Sequence, residues 1–451
     1  MSSICELWIF MKNIGFHEPE LVNMIKYYMN TYMFKTKKKL QIAVNLWCVN
    51  RADALEKYGH ISDWDVSQIT DMSQLFENRT HFNDYIGRWD VSRVTNMSIM
   101  FDYATIFNQP IGDWDVSSVK IMHSMFYNAD NFNQPIGDWD VSNVVNMSYM
   151  FNNAINFNQP IGGWDVSSVK IMHSMFEDAT NFNQPIGDWN VSNVIDMSCM
   201  FSSATEFNQP IGDWNVSNVI TLGGMFEDAH IFNQPIGDWN VSRVTDMNSI
   251  FCNASKFNQP IGDWNVCNVK NMRFMFFKAR KFNQPMGGWD VSSVTNMSSM
   301  FNNATEFNQP ICDWDVGKLF FMFRMFYDAS EFEFKNKPNM IKYELEKKKK
   351  KYREATQLFN SDLGIINKHF DNCNSKGLRY SNMKPSLYYF KIIRIQSYIQ
   401  KDYNYRWDFS NINNVSKRVN NKLKYQRDRN TRHQNKHTEI LSSKRHTSNG
   451  R

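Results

Sequence analysis

The sequence lacks the short motifs that identify common enzymes and metal sites. Its 451 residues contain no phosphate-binding loop, no HExxH zinc motif, no nucleophile elbow and no CxxC pair. The seven cysteines follow no regular spacing. An odd, unpatterned set is typical of free thiols in a reducing compartment. We therefore expect no catalytic activity, no cofactor and no metal.

Long apolar runs are also missing. No stretch approaches the roughly 18 consecutive apolar residues that cross a bilayer. The first twenty residues do not combine a basic start with the apolar run of a signal peptide. We expect a protein without a transmembrane segment, located inside the cell.

Charge is divided unevenly along the chain. Residues 61–332 carry 14 Lys and Arg against 30 Asp and Glu, a net charge of −16. Residues 333–451 carry 28 against 10, a net charge of +18. This basic tail is predicted to be partly helical and largely disordered. Its aromatic and basic stretch at 388–407 suggests weak, nonspecific contact with nucleic acid or an anionic membrane, or else simple solvation of that end.

One phrase, FNQPIGDWDVSNVVNMSYMFNNA at 132–154, recurs every 25 residues without insertion or deletion. Tryptophan occurs eleven times at this spacing, from Trp64 to Trp314. Valine follows two residues later and phenylalanine twelve residues later in every unit. A strict period predicts a solenoid, in which each unit forms one coil and stacks its apolar residues on those of the next. We assign eleven coils to residues 61–332.

Spacing within a unit predicts two elements. Met147, Met150, Phe151 and Ala154 recur at i, i+3, i+4 and i+7, which favours a short α-helix. The FNQPIGDW stretch is too short for a helix, and its proline limits it to a very short strand. The fold class predicted is an α/β repeat solenoid with one short strand and one short helix per coil.

The residue after each tryptophan is Asp in seven coils and Asn in four. A position that accepts both requires a side-chain oxygen rather than a charge. This exchange predicts an Asx turn or cap before the helix.

Helical spacing also precedes the repeats. Solenoids need end caps, and residues 1–60 are predicted to form a helical N-terminal cap. The apolar positions that carry this prediction are Leu21, Met24, Ile25, Tyr28, Leu40, Ala43, Val44, Trp47, Ala52, Leu55 and Tyr58.

The phrase FNQPIGDWDVSNVxNMSxMFxxA resembles the 25-residue repeat of the BspA-type leucine-rich-repeat surface proteins, a repeat class first noticed in mycoplasma lipoproteins. The segment LQIAVNLWCVNRADALEKYGHISDW resembles the helical lead-in of such arrays. The resemblance covers residues 61–332 and implies a leucine-rich-repeat-like fold and an adhesive or interaction role without catalytic residues. This chain departs from the surface-protein pattern because it has no signal peptide, lipobox or wall anchor.

Two functions are consistent with these observations. The first is a non-catalytic, adhesion-type scaffold that presents a rigid surface to a protein partner. The second is a purely structural stack, anchored through the basic tail to nucleic acid or an anionic surface. The coil at 264–288 favours the first because it breaks the acidic pattern. Its candidate partner-binding residues are Lys270, Arg273, Phe274, Phe277, Lys278, Arg280 and Lys281.

Overall fold

The structure, a computed structural model, describes residues 31–338 and four isolated positions: Arg353, Glu354, Gln357 and Ser361. The chain divides into two units, Met1–Glu346 and Lys347–Arg451. All contacts given below lie within residues 31–338. The helix predicted around Leu21 lies outside the described residues, as does almost all of the basic tail.

Two α-helices precede the repeats: α1, Lys37–Val49, and α2, Arg51–Tyr58. The side chain of Asn50 caps α2 by accepting a hydrogen bond from the Asp53 backbone N–H at 3.3 Å. The predicted apolar face of α1 is confirmed, because Leu40, Ala43, Val44 and Trp47 are all buried. In α2 the prediction is right for Tyr58 and wrong for Ala52 and Leu55, which are exposed. Neither helix is long and apolar enough to span a bilayer, and no other helix within the described residues is.

These helices cover the first coil. Gln41 on α1 donates from Nε2 to the backbone carbonyl of Leu75 at 3.0 Å. The Lys37 ammonium lies 3.0 Å from the Asp71 carboxylate. Trp47 donates its indole N–H to Asp84 at 2.9 Å. The apolar end of the stack is thereby closed at coil 1.

The prediction of a leucine-rich-repeat-like α/β solenoid with a strand and a helix in each coil is wrong. Within residues 31–338 both α-helices precede the repeats, and no β-strand is present. Besides these, the described residues contain two one-turn 3₁₀ helices, Ile61–Asp63 and Phe334–Asn336. The coils consist of turns. Neighbouring coils share a single parallel bridge seven residues after tryptophan, such as that between Ile121 and Asn146.

Left-handed backbone explains why no helix forms where the apolar spacing predicts one. Tyr149 has φ +57° and Asn153 has φ +55°. The same two positions, ten and fourteen residues after tryptophan, have positive φ in all eleven coils. A right-handed helix cannot continue through a left-handed residue. The backbone of each coil is therefore left-handed at two positions four residues apart, while its apolar side chains keep the spacing of a helix.

From the eighth to the fourteenth position, main-chain hydrogen bonds between coils run in one direction, whereas the sixth position donates back to the preceding coil, as from Val145 to Lys120 at 2.9 Å. In coils 1 to 10, N–H groups at the eighth, tenth, twelfth and fourteenth positions after tryptophan donate to carbonyls of the following coil. In coil 4 these bonds are Met147 to Ile171 at 3.1 Å, Tyr149 to His173 at 2.9 Å, Phe151 to Met175 at 2.9 Å and Asn153 to Glu177 at 2.7 Å. Each coil thus offers a row of donors to its successor and a row of acceptors to its predecessor.

The stretch predicted as a strand is held instead by side-chain amides. Asn158 Oδ1 accepts from the backbone N–H of Asn183 at 3.0 Å and from Nε2 of Gln184 at 2.9 Å, both in the next coil. The pattern repeats from Asn83 to Asn308. The FNQ phrase is therefore a ladder of asparagine oxygens rather than a β-ladder.

Tryptophan ties each coil to the preceding one. Trp189 donates its indole N–H to the buried carbonyl of Ile161, 28 residues earlier, at 3.1 Å. Ten of the eleven repeat tryptophans make this bond, from Trp89 to Trp314. The predicted columns of buried Trp, Val, Met and Phe are confirmed, with Phe201 fully buried between the rings of its neighbours.

The predicted Asx turn is also confirmed. Asn190 Oδ1 accepts from the Ser192 backbone N–H at 3.2 Å, and Asp165 does the same for Ser167 at 2.9 Å. Either residue type supplies the oxygen, as the Asp/Asn exchange requires. The turn leads into the bridge and the left-handed segment rather than into a helix.

Candidate interaction surface

The four positions nine, ten, thirteen and fourteen residues after each tryptophan form what we call the variable face, running from Ser73 to Asp328. Main-chain groups make the stacking bonds here, so side-chain identity is left free. The composition ranges from Gly223 and Gly224 in one coil to Phe274 and Phe277 two coils later. Main-chain stacking therefore tolerates different side chains on this face, although some of its polar residues, such as Asn152 and Ser174, are buried.

Aromatic side chains gather on the variable face of coils 2 to 5. Ring centres of Tyr103 and Tyr127 lie 5.8 Å apart, and those of Tyr127 and Tyr149 lie 6.2 Å apart. The Tyr149 hydroxyl lies 2.7 Å from Nε2 of His173. Tyr103 is 44% exposed, which leaves an apolar and hydrogen-bonding surface open to a partner.

The histidines of this cluster bond to neighbouring hydroxyls. His123 Nδ1 lies 2.8 Å from Ser148 Oγ, and His173 Nδ1 lies 2.6 Å from Ser198 Oγ. Within residues 31–338 no three His, Cys, Asp or Glu side chains are placed to hold a metal ion.

Acidic side chains follow on coils 5 to 7. Glu177 and Glu227 flank Cys199, and burial together with these carboxylates raises the pKa of the Cys199 thiol to about 12. Burial and Glu227 likewise raise the pKa of Cys252. A reactive cysteine requires a thiolate, which these surroundings disfavour. Both cysteines are free, as are Cys48, Cys267 and Cys312.

Coil 9 brings together four of the seven residues proposed from the sequence. The Arg273 guanidinium lies 4.4 Å from the ring centre of Phe274, and the Lys278 ammonium lies 5.2 Å from that of Phe277. The two rings meet edge to face, with centres 5.4 Å apart. Cations held over aromatic rings form a compact surface with both apolar and charged character.

The other three proposed residues stand apart. Lys281 forms an ion pair with Glu306 of the next coil. Lys270 and Arg280 are exposed. No hydrogen bond, ion pair or ring contact found between side chains of residues 31–338 joins either of them to the four-residue cluster.

A second cation–aromatic cluster lies on coil 11, and the sequence prediction missed it. The Arg324 guanidinium lies 4.9 Å from the ring centre of Phe323 and 5.3 Å from that of Tyr327. This cluster occupies the same three repeat positions as Arg273, Phe274 and Phe277. The signal was present, since FFMFRMFYDA replaces the usual small residues of this segment.

Bulky residues occupy left-handed backbone on the variable face. Ile99 has φ +61°, Phe274 +56° and Arg324 +54° at the tenth position after tryptophan. Gly224 occupies this position in coil 7, with φ +66°. Left-handed backbone is unfavourable for residues with a Cβ and most unfavourable for a β-branched one. Stability alone would therefore favour Gly or Asn throughout this column.

A polar groove of about 860 Å³ runs along another side of the stack. Its walls are two columns of asparagines that include Asn131, Asn133, Asn156 and Asn158. The side-chain oxygens of Asn133 and Asn158 are already used in the ladder between coils. The groove is thus a consequence of stacking, and the variable face offers the stronger candidate surface.

The class defined by these features is a protein of stacked 25-residue repeats. Four overlapping segments, residues 48–160, 134–237, 221–340 and 257–364, match the family described as Mycoplasma protein of unknown function, DUF285. Together they cover residues 48–364, more than half of the chain, and the chain belongs to this family. No curated protein and no solved structure matches the chain.

Proposed function

We propose that the repeats form a rigid solenoid that presents the variable face to a protein partner, as a non-catalytic, adhesion-type scaffold. The stacking contacts are the same from coil to coil and leave this face free to differ. Seven aromatic residues and two Arg lie on it among many Ser and Asn, and aromatic residues and Arg are the types enriched where proteins bind each other.

The column of left-handed residues is the observation that carries the proposal. A left-handed residue with a side chain loses roughly 1 kcal/mol or more relative to glycine. Ile99, Tyr149, Phe274 and Arg324 all bear that loss. Strained positions that persist against stability are typical of functional sites. The contacts of Tyr149 and Phe274 described above are with other side chains of the variable face, and contact with a partner would give that surface a role.

The test compares two triple variants of the full chain. The first replaces Ile99, Tyr149 and Phe274 with Ser, which the same column carries at Ser124 and Ser249. The matched control replaces Val145, Ile195 and Ile220, exposed hydrophobic residues beside the bridge, with the Thr found there in other coils. Immobilised protein is used to capture partners from cell extract, and melting temperatures are measured in parallel.

The proposal predicts that the Ser variant loses captured protein while its melting temperature stays close to that of the wild type. The Thr control should capture as the wild type does. The alternative is a purely structural stack, anchored to nucleic acid or an anionic surface through residues 333–451. In that case the Ser variant would capture the same proteins, and the proposal would fail.

A further inference from the structure

The last coil ends in a row of hydrogen-bond donors that meet no acceptor among the described residues. In coil 10, N–H groups at the four ladder positions donate to Phe321, Phe323, Met325 and Tyr327 of coil 11 at 2.8–2.9 Å. The equivalent donors of coil 11 belong to Met322, Arg324, Phe326 and Asp328. None of these four N–H groups donates a hydrogen bond within residues 31–338. We call this row the donor edge.

Apolar side chains at the donor edge are more exposed than their counterparts within the stack. Phe323 is 71% exposed. Met322 and Phe326 are only partly buried, although the same positions are fully buried in coil 10 at Met297 and Phe301. Within residues 31–338, the edge therefore combines partly exposed apolar side chains with N–H groups that have no acceptor.

One cation and one carboxylate stand at the donor edge, Arg324 and Asp328. The four N–H groups belong to alternate residues, and an N–H group without an acceptor carries a partial positive charge. The Arg324 guanidinium stands beside them and belongs to none of the ion pairs within residues 31–338. Asp328 is the one acidic side chain from 321 to 328. Arg273 and Lys278, two coils back on the variable face, extend the basic aromatic surface and are also absent from those ion pairs.

A second copy of the stack does not fit this edge. Head-to-tail stacking needs the carbonyl row of coil 1, which α1 covers through Gln41 on the Leu75 carbonyl. Two donor edges facing each other would present donors to donors. The occupant must therefore bring acceptors. In an extended peptide, the carbonyls on one side belong to every second residue, and the four donor N–H groups also belong to every second residue.

We propose that the donor edge of coil 11 binds an extended acidic peptide segment of a protein partner. The peptide's backbone carbonyls accept from the four N–H groups, and one of its carboxylates pairs with Arg324. Its apolar side chains cover Met322 and Phe326. This is the addition of a chain to an open edge, a common mode of peptide recognition. The proposal rests on the proposed function, since it assigns that partner a chemistry and a docking place.

The probe is a blocked eight-residue peptide of alternating Glu and Val, added to the full chain. Amide hydrogen exchange resolved to single residues is the readout, because the basic residues beyond 338 can also attract an acidic peptide. We expect exchange to slow at Met322, Arg324, Phe326 and Asp328. The same peptide with Lys in place of Glu should have no effect. Binding of the acidic peptide that leaves these four amides unchanged would overturn the proposal.

Two variants and one competitor sharpen the test. Arg324→Ser places there the residue found at Ser299, with φ +56° at the same repeat position, so folding should be retained. With this variant, roughly ten times more peptide should be needed for the same protection, because a charge-assisted pair is lost. Arg243→Asn, a remote exposed position where other coils carry Asn, should change nothing.

An oligothymidylate of twelve nucleotides is the competitor. If it protected the four amides better than the acidic peptide does, the edge would be a nucleic-acid site and the proposal would be wrong. Failure of the peptide experiment leaves the capture experiment on Ile99, Tyr149 and Phe274 unaffected, because those residues lie on other coils. The two proposals can therefore fail separately.

Discussion

Gly187 lies directly against the backbone carbonyl of Pro210 in the next coil: a Cβ at Gly187 would stand 2.6 Å from that oxygen. No real Cβ tolerates such a distance from a backbone atom. Glycine occupies this position in the nine coils whose successor carries the proline. Where the glycine position holds another residue, the following proline position does too: Ser62 is followed by Tyr85 there, and Cys312 is followed by Lys335. The glycine and the proline of the repeat are thus one contact between coils.

Replacing Gly187 with Ala should destabilise the protein by about 1–3 kcal/mol, the usual range for forcing an atom into a packed site. Gly163→Ala is the control, because no atom lies within 4 Å of the place its new methyl group would occupy and its φ is not positive. That change should be neutral or should stabilise by about 0.4–1 kcal/mol. Urea unfolding of both variants measures the difference, and equal effects would contradict the contact.

Ile99→Asn should raise the free energy of unfolding by about 0.5–1 kcal/mol. The reason is that Asn tolerates φ +61° and a β-branched residue does not. Ile106→Asn changes a more exposed isoleucine that has no positive φ, and it should not stabilise. Chemical denaturation of both variants gives the comparison. A loss of stability in Ile99→Asn as large as that in Ile106→Asn would show that this column bears no strain.

The pH dependence of stability should include a contribution from Asp102. Burial, with Glu77 adding repulsion, raises the pKa of Asp102 from 3.8 to about 6. Its Oδ1 is buried without a hydrogen-bond partner among the described residues. Between about pH 4 and pH 6 the folded protein keeps a proton that the unfolded chain has lost. This contribution to stability is therefore present at low pH and disappears as the pH rises through about 6.

Asp102→Asn should remove that decline and make the protein more stable at pH 7. Asp115→Asn is a useful contrast, because hydrogen bonds from Ser117 lower the pKa of Asp115 and Asn can accept the same backbone bond. It should have little effect at pH 7. Urea midpoints at about pH 4.5 and pH 7 are the measurement. If the urea midpoint of Asp102→Asn changed with pH as much as that of the wild type, this carboxyl would not be responsible for the pH dependence.

Much of the stack could be predicted because its period is unbroken. The buried tryptophans, the Asx turns at residues such as Asn190 and the apolar face of α1 all follow from spacing and side-chain chemistry. The secondary structure of the coils could not be predicted from the same spacing. Apolar spacing at Met147, Met150 and Phe151 is equally compatible with a helix and with turns of alternating hand.

One signal against a helix was present in the sequence. The fourteenth position after tryptophan is Asn or Asp in eight of eleven coils, as at Asn153 and Asp178. These residues favour left-handed backbone. The tenth position gave no such signal, because Ile99 and Phe274 are poor left-handed residues. There the stacking of neighbouring coils overrides local preference.

The candidate surface was found only in part for a related reason. Arg273 and Phe274 stood out because their coil breaks the acidic pattern. Arg324 and Phe323 did not, since coil 11 carries a mixture of charges. The donor edge is invisible in the sequence, because it depends on which backbone groups lose their partner when the repeats end.

Residue-resolved hydrogen exchange of the full chain tests most directly whether each coil donates a row of main-chain N–H groups to the next. We predict slow exchange at the interior donors Met197, Cys199, Phe201 and Ser203. We predict fast exchange at their counterparts in coil 11, Met322, Arg324, Phe326 and Asp328. Equal protection of the two sets would contradict both the forward row of hydrogen bonds and the open edge.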